Sequence, residues 1–263
     1  MKNQDFNKGI ALTALGSFWW GVIGVIYFKY ISFAGSIEVV IHRCVWTSVV
    51  LIISTFFFSK WNIFFNIIRN KKKLILLFFS SLLIFINWAT WIYALGTNRI
   101  IDASFGYFIM PILSVFLGYI FYKEKINRRR GLSILLVLIS ILFLLMVNFN
   151  SIPWVGIIVA FSWGFYNLLR KKVNVDTDVG LLIESLFILP FAVFSFYIIF
   201  QNDLNDFSLN NPSLMFLLMM AGPMTVIPLF LYVRGVELCG LGPTGMIFYI
   251  TPTFQFLLGF FYY

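Results

Sequence analysis

Ionisable and amide side chains set within apolar sequence are where this chain could do chemistry. Glu38, His42 and Trp46 recur at i, i+4 and i+8, so they share one helical face, with Arg43 about a quarter turn round. A Glu–His pair one turn apart can bind a cation or pass a proton, because histidine titrates near neutral pH. The structural alternatives are equally concrete. A carboxylate in a first helical turn is favoured by the helix dipole, which accounts for Glu38 without any ligand. Arg43 can snorkel outward or simply hold His42 and Glu38 in place. Glu184 has no basic residue within one turn along the sequence. It offers a coupling site or a contact for a cationic substrate, against the same first-turn alternative.

Two further groups carry polar and aromatic functions together: Asn87, Trp88 and Trp91 in one stretch, and Trp163, Tyr166 and Asn167 in another. The amides could hydrogen-bond a substrate and the indoles could line an aromatic wall. Equally, buried amides bridge neighbouring helices in bilayers, and tryptophan near a span end anchors at the interface. Pro111 and Pro252 each remove a backbone hydrogen bond and predict helix bends, either static or hinges for motion. Other chemistry lacks its machinery. The sequence has no G-x-x-x-x-G-K phosphate loop, no H-E-x-x-H and no G-x-S-x-G. One histidine and two cysteines, Cys44 and Cys239, both in or beside apolar runs, indicate neither a metal site nor a disulfide framework. No cofactor is expected.

The elements that must position these residues follow from composition. The 263 residues are 61% hydrophobic and 11% charged, with a mean hydropathy of +0.94. Soluble domains carry about 25% charged residues, so a soluble enzyme, a nucleic-acid binder and a disordered chain are excluded. A spanning helix needs about 20 apolar residues. Nine such segments occur, near 9–31, 36–58, 74–95, 101–122, 131–149, 153–170, 179–200, 213–235 and 244–263. The runs are continuous and do not alternate as barrel strands must. The first is too long for a signal-peptide core and no small-residue cleavage pattern follows it, so it reads as a retained span. An all-α polytopic membrane bundle is therefore expected.

The net charge of +9 must be read by position. Lys2 and Lys8, Lys60, Arg69 and Lys71 to Lys73, Lys123, Lys125 and Arg128 to Arg130, Arg170 to Lys172, and Arg234 all fall on one side of the alternating spans. Lys29 and Arg99 fall on the other, where the segment after span seven offers Asp203 and Asp206. Sixteen basic residues against two place the N-terminus in the cytoplasm.

The chain also repeats. Phe18-Trp19-Trp20-Gly21 matches Phe161-Ser162-Trp163-Gly164 at an offset of 143, and Ile37-Glu38 matches Ile183-Glu184 at 146. Ser104, Tyr107, Pro111, Ser114 and Gly118 share their spacing with Gly245, Phe248, Pro252, Gln255 and Gly259, each 141 further on. Gly118 and Gly259 read as sites of close helix packing. A repeat of five spans is odd-numbered, so its second copy enters the membrane from the opposite side, a signature of secondary transporters. The expected halves are 1–149, with five spans, and 150–263, with four. A tenth span is expected by the repeat and is missing, since span nine reaches Tyr263 without a polar flank.

Several segments together resemble the RarD branch of the EamA group in the drug/metabolite transporter superfamily. They are Ile41 to Trp46, Asn87-Trp88, Ala103 to Ile109 ahead of Pro111, Tyr166 through Lys172, Gly180 with Glu184 and Pro190, and Tyr249-Ile250 with Pro252-Thr253. The resemblance runs from span one to the end of span nine. It implies ten spans, both termini in the cytoplasm, a central substrate cavity and a bacterial inner membrane. Met110 departs from the family, which commonly has Asn there.

The expected function is that of a secondary transporter with alternating access for a small polar or amphipathic metabolite or drug. Proton coupling would run through Glu38, His42 and Glu184, and Tyr107 joins the candidate substrate contacts. Lipid and a small-molecule substrate are the expected partners, with no nucleic acid. Two other classes fit the composition: a lipid-modifying membrane enzyme, for which the sequence offers only isolated carboxylates, and a non-transporting partner subunit, which the missing span and a homodimer would favour.

Overall fold

The computed structural model describes residues 3–126, 128–148, 153–202 and 204–262. Lys2, Asp203 and Tyr263, and the side chains of Arg129 and Arg130, lie outside the described residues. Among the described residues the structure is helical without strands, as backbone groups in hydrocarbon require. Helices occupy all nine predicted segments. The first runs through α1 (Asn3–Trp19), a π-helical turn (Trp20–Gly24) and α2 (Val25–Tyr30). Then come α3 (Ser36–Phe57), the short α4 (Trp61–Arg69), α5 (Lys71–Gly96), α6 (Ile100–Tyr122) and α7 (Arg128–Asn148). They are followed by α8 (Trp154–Val173), α9 (Thr177–Gln201), α10 (Pro212–Met219), α11 (Ala221–Cys239), α12 (Leu241–Ile247) and α13 (Ile250–Tyr262).

Six of these stretches are long and apolar enough by themselves to cross a membrane. The remaining three differ for identifiable reasons. Helix α8 carries Arg170, Lys171 and Lys172 in its last turn and buries Val155, Val159, Trp163, Tyr166 and Asn167 among its neighbours, while Ile157, Phe161 and Phe165 on another face are exposed. Helix α7 packs mainly on α6 and leaves Leu135, Leu136, Ile139 and Phe143 exposed, as a lipid-facing helix would. The ninth segment is interrupted at Phe248–Tyr249, four residues before Pro252. The carbonyl freed by that proline's missing N–H is that of Phe248, which accepts instead from Thr251 N at 2.9 Å. Helix α6 runs through Pro111 without interruption, so the two prolines do not act alike.

Helix α4 is an addition to the sequence reading, which treated residues 60–73 only as a basic connection. It buries Phe64 and Ile67 and turns Asn62, Asn66 and Arg69 away from them, the pattern of a helix lying in an interface.

Helices α1 and α11 pack side by side, as do α5 with α8, α3 with α9, and α6 with α8. Two crossings are very close. A Cβ on Gly106 would lie 2.2 Å from the Gly156 carbonyl oxygen, so α6 and α8 touch backbone to backbone. A Cβ on Gly245 would lie 3.0 Å from the Pro111 carbonyl oxygen, fixing α12 against α6. Gly118 is likewise tight, 3.0 Å from Glu124 Oε2, whereas Gly259 has no described atom within 4 Å.

Candidate functional site

The sequence candidates separate into three places. The first is a cavity at the centre of the bundle. Arg43 enters it from α3, Asn87, Trp88 and Trp91 from α5, Tyr107 from α6 and Trp163 from α8. Four lining residues were not among the candidates: Trp20 in the π-helical turn, Phe248 at the α12–α13 break, and Thr251 and Gln255 of α13. Both irregular stretches therefore border the cavity, as π-turns at functional sites often do. A signal for three of the four was present, because Trp20, Phe248 and Gln255 belong to the repeat motifs. About 360 Å³ here is free of atoms, but the centre of a water molecule reaches only about 20 Å³ of it. That is room for roughly one or two waters.

The walls are aromatic. Trp20 meets Trp163 edge-on at 5.1 Å, Tyr107 meets Phe248 at 5.6 Å, and Tyr232 packs on both Trp163 and Phe248 at 5.3 and 5.1 Å. The polar groups are few. Asn87 donates to Val159 O and Ser162 Oγ, both at 3.1 Å, so one side of its amide bridges α5 to α8. Gln255 Oε1 and Arg43 Nε are buried without a hydrogen-bond partner among the described residues, while the Trp163 indole has the Tyr232 hydroxyl beside it.

Arg43 is the unusual group. It is 4% exposed, and among the described residues its side chain makes no ion pair and no hydrogen bond. Its guanidinium lies over Trp88 at 4.6 Å, Phe28 at 4.8 Å and Trp91 at 5.8 Å. A desolvated cation–π contact is worth about 2 kcal/mol. Placing a cation within a spanning helix costs roughly 2.5–3.5 kcal/mol even on insertion scales. The rings offset much of that cost but supply no counter-charge. Arg43 neither snorkels outward nor holds Glu38 and His42.

Those two residues occupy a second place, away from the cavity. Glu38 accepts from Asp206 N and Phe207 N at 2.9–3.0 Å, tying down the segment before α10. His42 Nε2 stands 3.4 Å from Glu38 Oε1, and its Nδ1 accepts from Trp46 Nε1 at 3.2 Å. The ring is packed on Phe207 and Phe196 at 4.6 and 5.5 Å. The first-turn position of Glu38 and its two backbone donors account for it structurally.

The third place surrounds Glu184, 2% exposed. The sequence offers it no nearby cation, but folding supplies one from the neighbouring helix: Arg170 Nη1 lies 3.7 Å from Glu184 Oε1. Arg170, placed by sequence on the basic flank, is 1% exposed and also faces Glu237 Oε1 at 3.7 Å. Ser80 donates a short hydrogen bond to Glu184 Oε1, and Tyr166 OH donates to Oε2 at 3.2 Å. Tyr166 in turn stacks on Trp163 at 5.4 Å, so this cluster touches the cavity wall. Asn167 is buried beside it, with its amide against the Tyr232 hydroxyl. Among the described residues no group of His, Cys, Asp and Glu has the arrangement of a metal site.

Both ends of the bundle are tied. At the end bearing the basic connections, Glu124 accepts from Lys171 Nζ at 2.5 Å and from Leu241 N and Gly242 N at 3.1 and 2.8 Å. Burial alone would raise the Glu124 carboxyl, but the Lys171 ammonium and the two N–H donors outweigh it and hold it below its ordinary value. Gly240, at φ +89°, makes the turn that presents those donors. Lys60 bridges Asp176 and Asp178 at 3.1 and 2.8 Å nearby. At the other end Arg99 pairs with Asp102 at 2.6 Å and stacks on Trp154.

A family model for EamA-like transporters matches residues 7–146. An uncharacterized transporter of Vibrio cholerae is 35% identical over 97% of this chain and 84% of its own length. The uncharacterized transporter YojE of Bacillus subtilis and protein RarD of Escherichia coli are each 32% identical over all of this chain and 88% of their own length. The chain is a multi-pass membrane protein of the EamA-like transporter family.

Proposed function

We propose that this protein is a secondary transporter that carries a small polar or amphipathic metabolite across the bacterial inner membrane, with its N-terminus in the cytoplasm. Substrate binds in the central cavity between two inverted halves, 1–149 and 150–263, and the halves rock to expose it to either side. The observation that carries this reading is where the repeat motifs meet. Trp20 and Trp163 are repeat mates, as are Tyr107 and Phe248, and each pair is in ring contact across the cavity. Helix pairing follows the same exchange: α1 against α11 corresponds to α8 against α5, and α3 packs on its own counterpart α9. The family match over 7–146 also falls within the first of these halves. Tied ends around so small a cavity suit an occluded stage of such a cycle.

Glu184 is the better-placed group for proton coupling, being buried and one tyrosine away from the cavity wall. Glu38 and His42 remain weaker candidates for it, since their contacts are with the segment before α10.

The test is counterflow from proteoliposomes loaded with a bacterial metabolite extract. Selective efflux of one compound class, slowed in Glu184→Gln and altered when the proton gradient is collapsed, is the expected result. Absence of any selective efflux from well-folded protein removes the transport reading. Efflux indifferent to the gradient removes the coupling.

A further inference from the structure

The cavity holds a permanent positive charge that nothing in the described protein neutralises. Arg43 is more than nine-tenths buried, lines the cavity, and has no carboxylate within 4 Å. The other buried arginine shows what the fold does when a cation is structural, for Arg170 lies 3.7 Å from each of two carboxylates. The indole of Trp163, which also lines the cavity, packs on Tyr232 and has the Tyr232 hydroxyl as a partner. Arg43 is therefore the unpaired donor, and a guanidinium fork suits the paired oxygens of a carboxylate or phosphate. The remaining walls are the rings of Trp20, Trp88, Trp91, Tyr107 and Phe248 together with the uncharged polar side chains of Asn87, Thr251 and Gln255.

We infer that the substrate is a small organic oxyanion, with a flat or apolar body, whose carboxylate or phosphate is the missing counter-ion of Arg43. This deepens the transporter reading and rests on it. The ligand enters as an anion, its charged end meets Arg43, and its body lies between the rings. Arg43 then has a counter-charge only in the loaded state, so the empty cavity discriminates against cations by direct repulsion. The small free volume requires the rings to part on entry, and the π-helical turn at Trp20 and the break at Phe248, whose rings meet at 6.4 Å, are the irregular backbone beside them.

Binding and transport must be scored separately. Full-length wild-type and Arg43→Gln proteins in nanodiscs are dialysed against a bacterial metabolite extract, and compounds enriched on the protein are identified by mass spectrometry. Compounds anionic at neutral pH should be enriched on the wild type, with retention falling about tenfold or more in Arg43→Gln. Arg43→Lys keeps the charge and should retain the same compounds more weakly, so the result does not depend on how one variant folds. The identified masses distinguish carboxylates from phosphates. Enrichment of neutral or cationic compounds only, equal retention by Arg43→Gln, or no enrichment at all overturns the inference. In parallel counterflow, efflux of a neutral compound through both proteins would overturn it while leaving transport intact. Retention of anions without efflux would support the site and remove the transport reading.

Discussion

Replacing each buried arginine by methionine should have opposite consequences. Arg170 faces Glu184 and Glu237 at 3.7 Å each and donates to Thr177 O at 3.2 Å. Arg170→Met strands two carboxylates. Removing one partner of a buried pair costs about 3–5 kcal/mol. The lower end applies here, because Glu237 keeps Arg234 at 2.9 Å and Glu184 keeps Ser80 and Tyr166. Arg43→Met strands no charge. It loses contacts with three rings, about 2 kcal/mol, and relieves a membrane-buried cation worth roughly 2.5–3.5 kcal/mol. The net is about 0.5–1.5 kcal/mol of added stability. Reversible unfolding of both variants and the wild type, by SDS titration in mixed micelles, reads the difference directly. If Arg43→Met is as damaging as Arg170→Met, Arg43 has a structural partner and the argument for a cation reserved for substrate collapses. A neutral Arg170→Met would instead show that the Glu184 cluster does not act as a charge pair.

Three further outcomes follow from particular contacts. Because the Glu124 carboxyl is held below its ordinary value, its contribution to stability is complete above the ordinary carboxylate range and lost as pH falls through its depressed value. Glu124→Gln should cost about 1–2 kcal/mol at neutral pH, discounted for solvent screening, and should blunt acid-induced unfolding between neutral and low pH. Gly106→Ala drives a methyl into the Gly156 carbonyl and should cost about 1–3 kcal/mol or more in the same unfolding assay, and a neutral result would mean that α6 and α8 separate freely. Both native cysteines are buried, so single substitutions can report sidedness against a low background. Lys72→Cys should react with an impermeant maleimide only after cells are opened and Asn205→Cys in intact cells, with the reverse pattern inverting the proposed orientation.

The spans were legible in the sequence because hydrocarbon leaves the backbone one option, and continuous apolar runs state that option directly. The same rule hid α4: its apolar residues Trp61, Phe64, Phe65, Ile67 and Ile68 alternate with Asn62, Asn66 and Arg69 over too short a stretch to cross, so only their helical periodicity marks it. The break at Phe248–Tyr249 and the continuous path through Pro111 carry equivalent prolines in equivalent motifs. What differs is packing: the proline alone frees one carbonyl and does not dictate how its helix responds. Tyr107, Trp88 and Arg43 could be named as candidates from residue type, but not that they would gather while Glu38 and His42 would not, since that depends on which face each helix turns inward.

The distinction between a structural and a functional buried charge lies on the same link. In the sequence Arg43 sits five residues from Glu38 with His42 between them, and it looks like the paired one; Arg170 sits in a basic run and looks solvated. Folding reverses both. Glu38 turns to two backbone N–H groups, leaving Arg43 with rings alone, while α9 and α11 bring Glu184 and Glu237 to Arg170. A fold able to place two carboxylates around one buried cation could have placed one around the other. Doing so at Arg43 would have filled the cavity with a permanent counter-ion and left nothing for an anionic ligand to exchange with. The absence of a carboxylate there among the described residues is therefore the feature of the bundle that points most directly to what it carries.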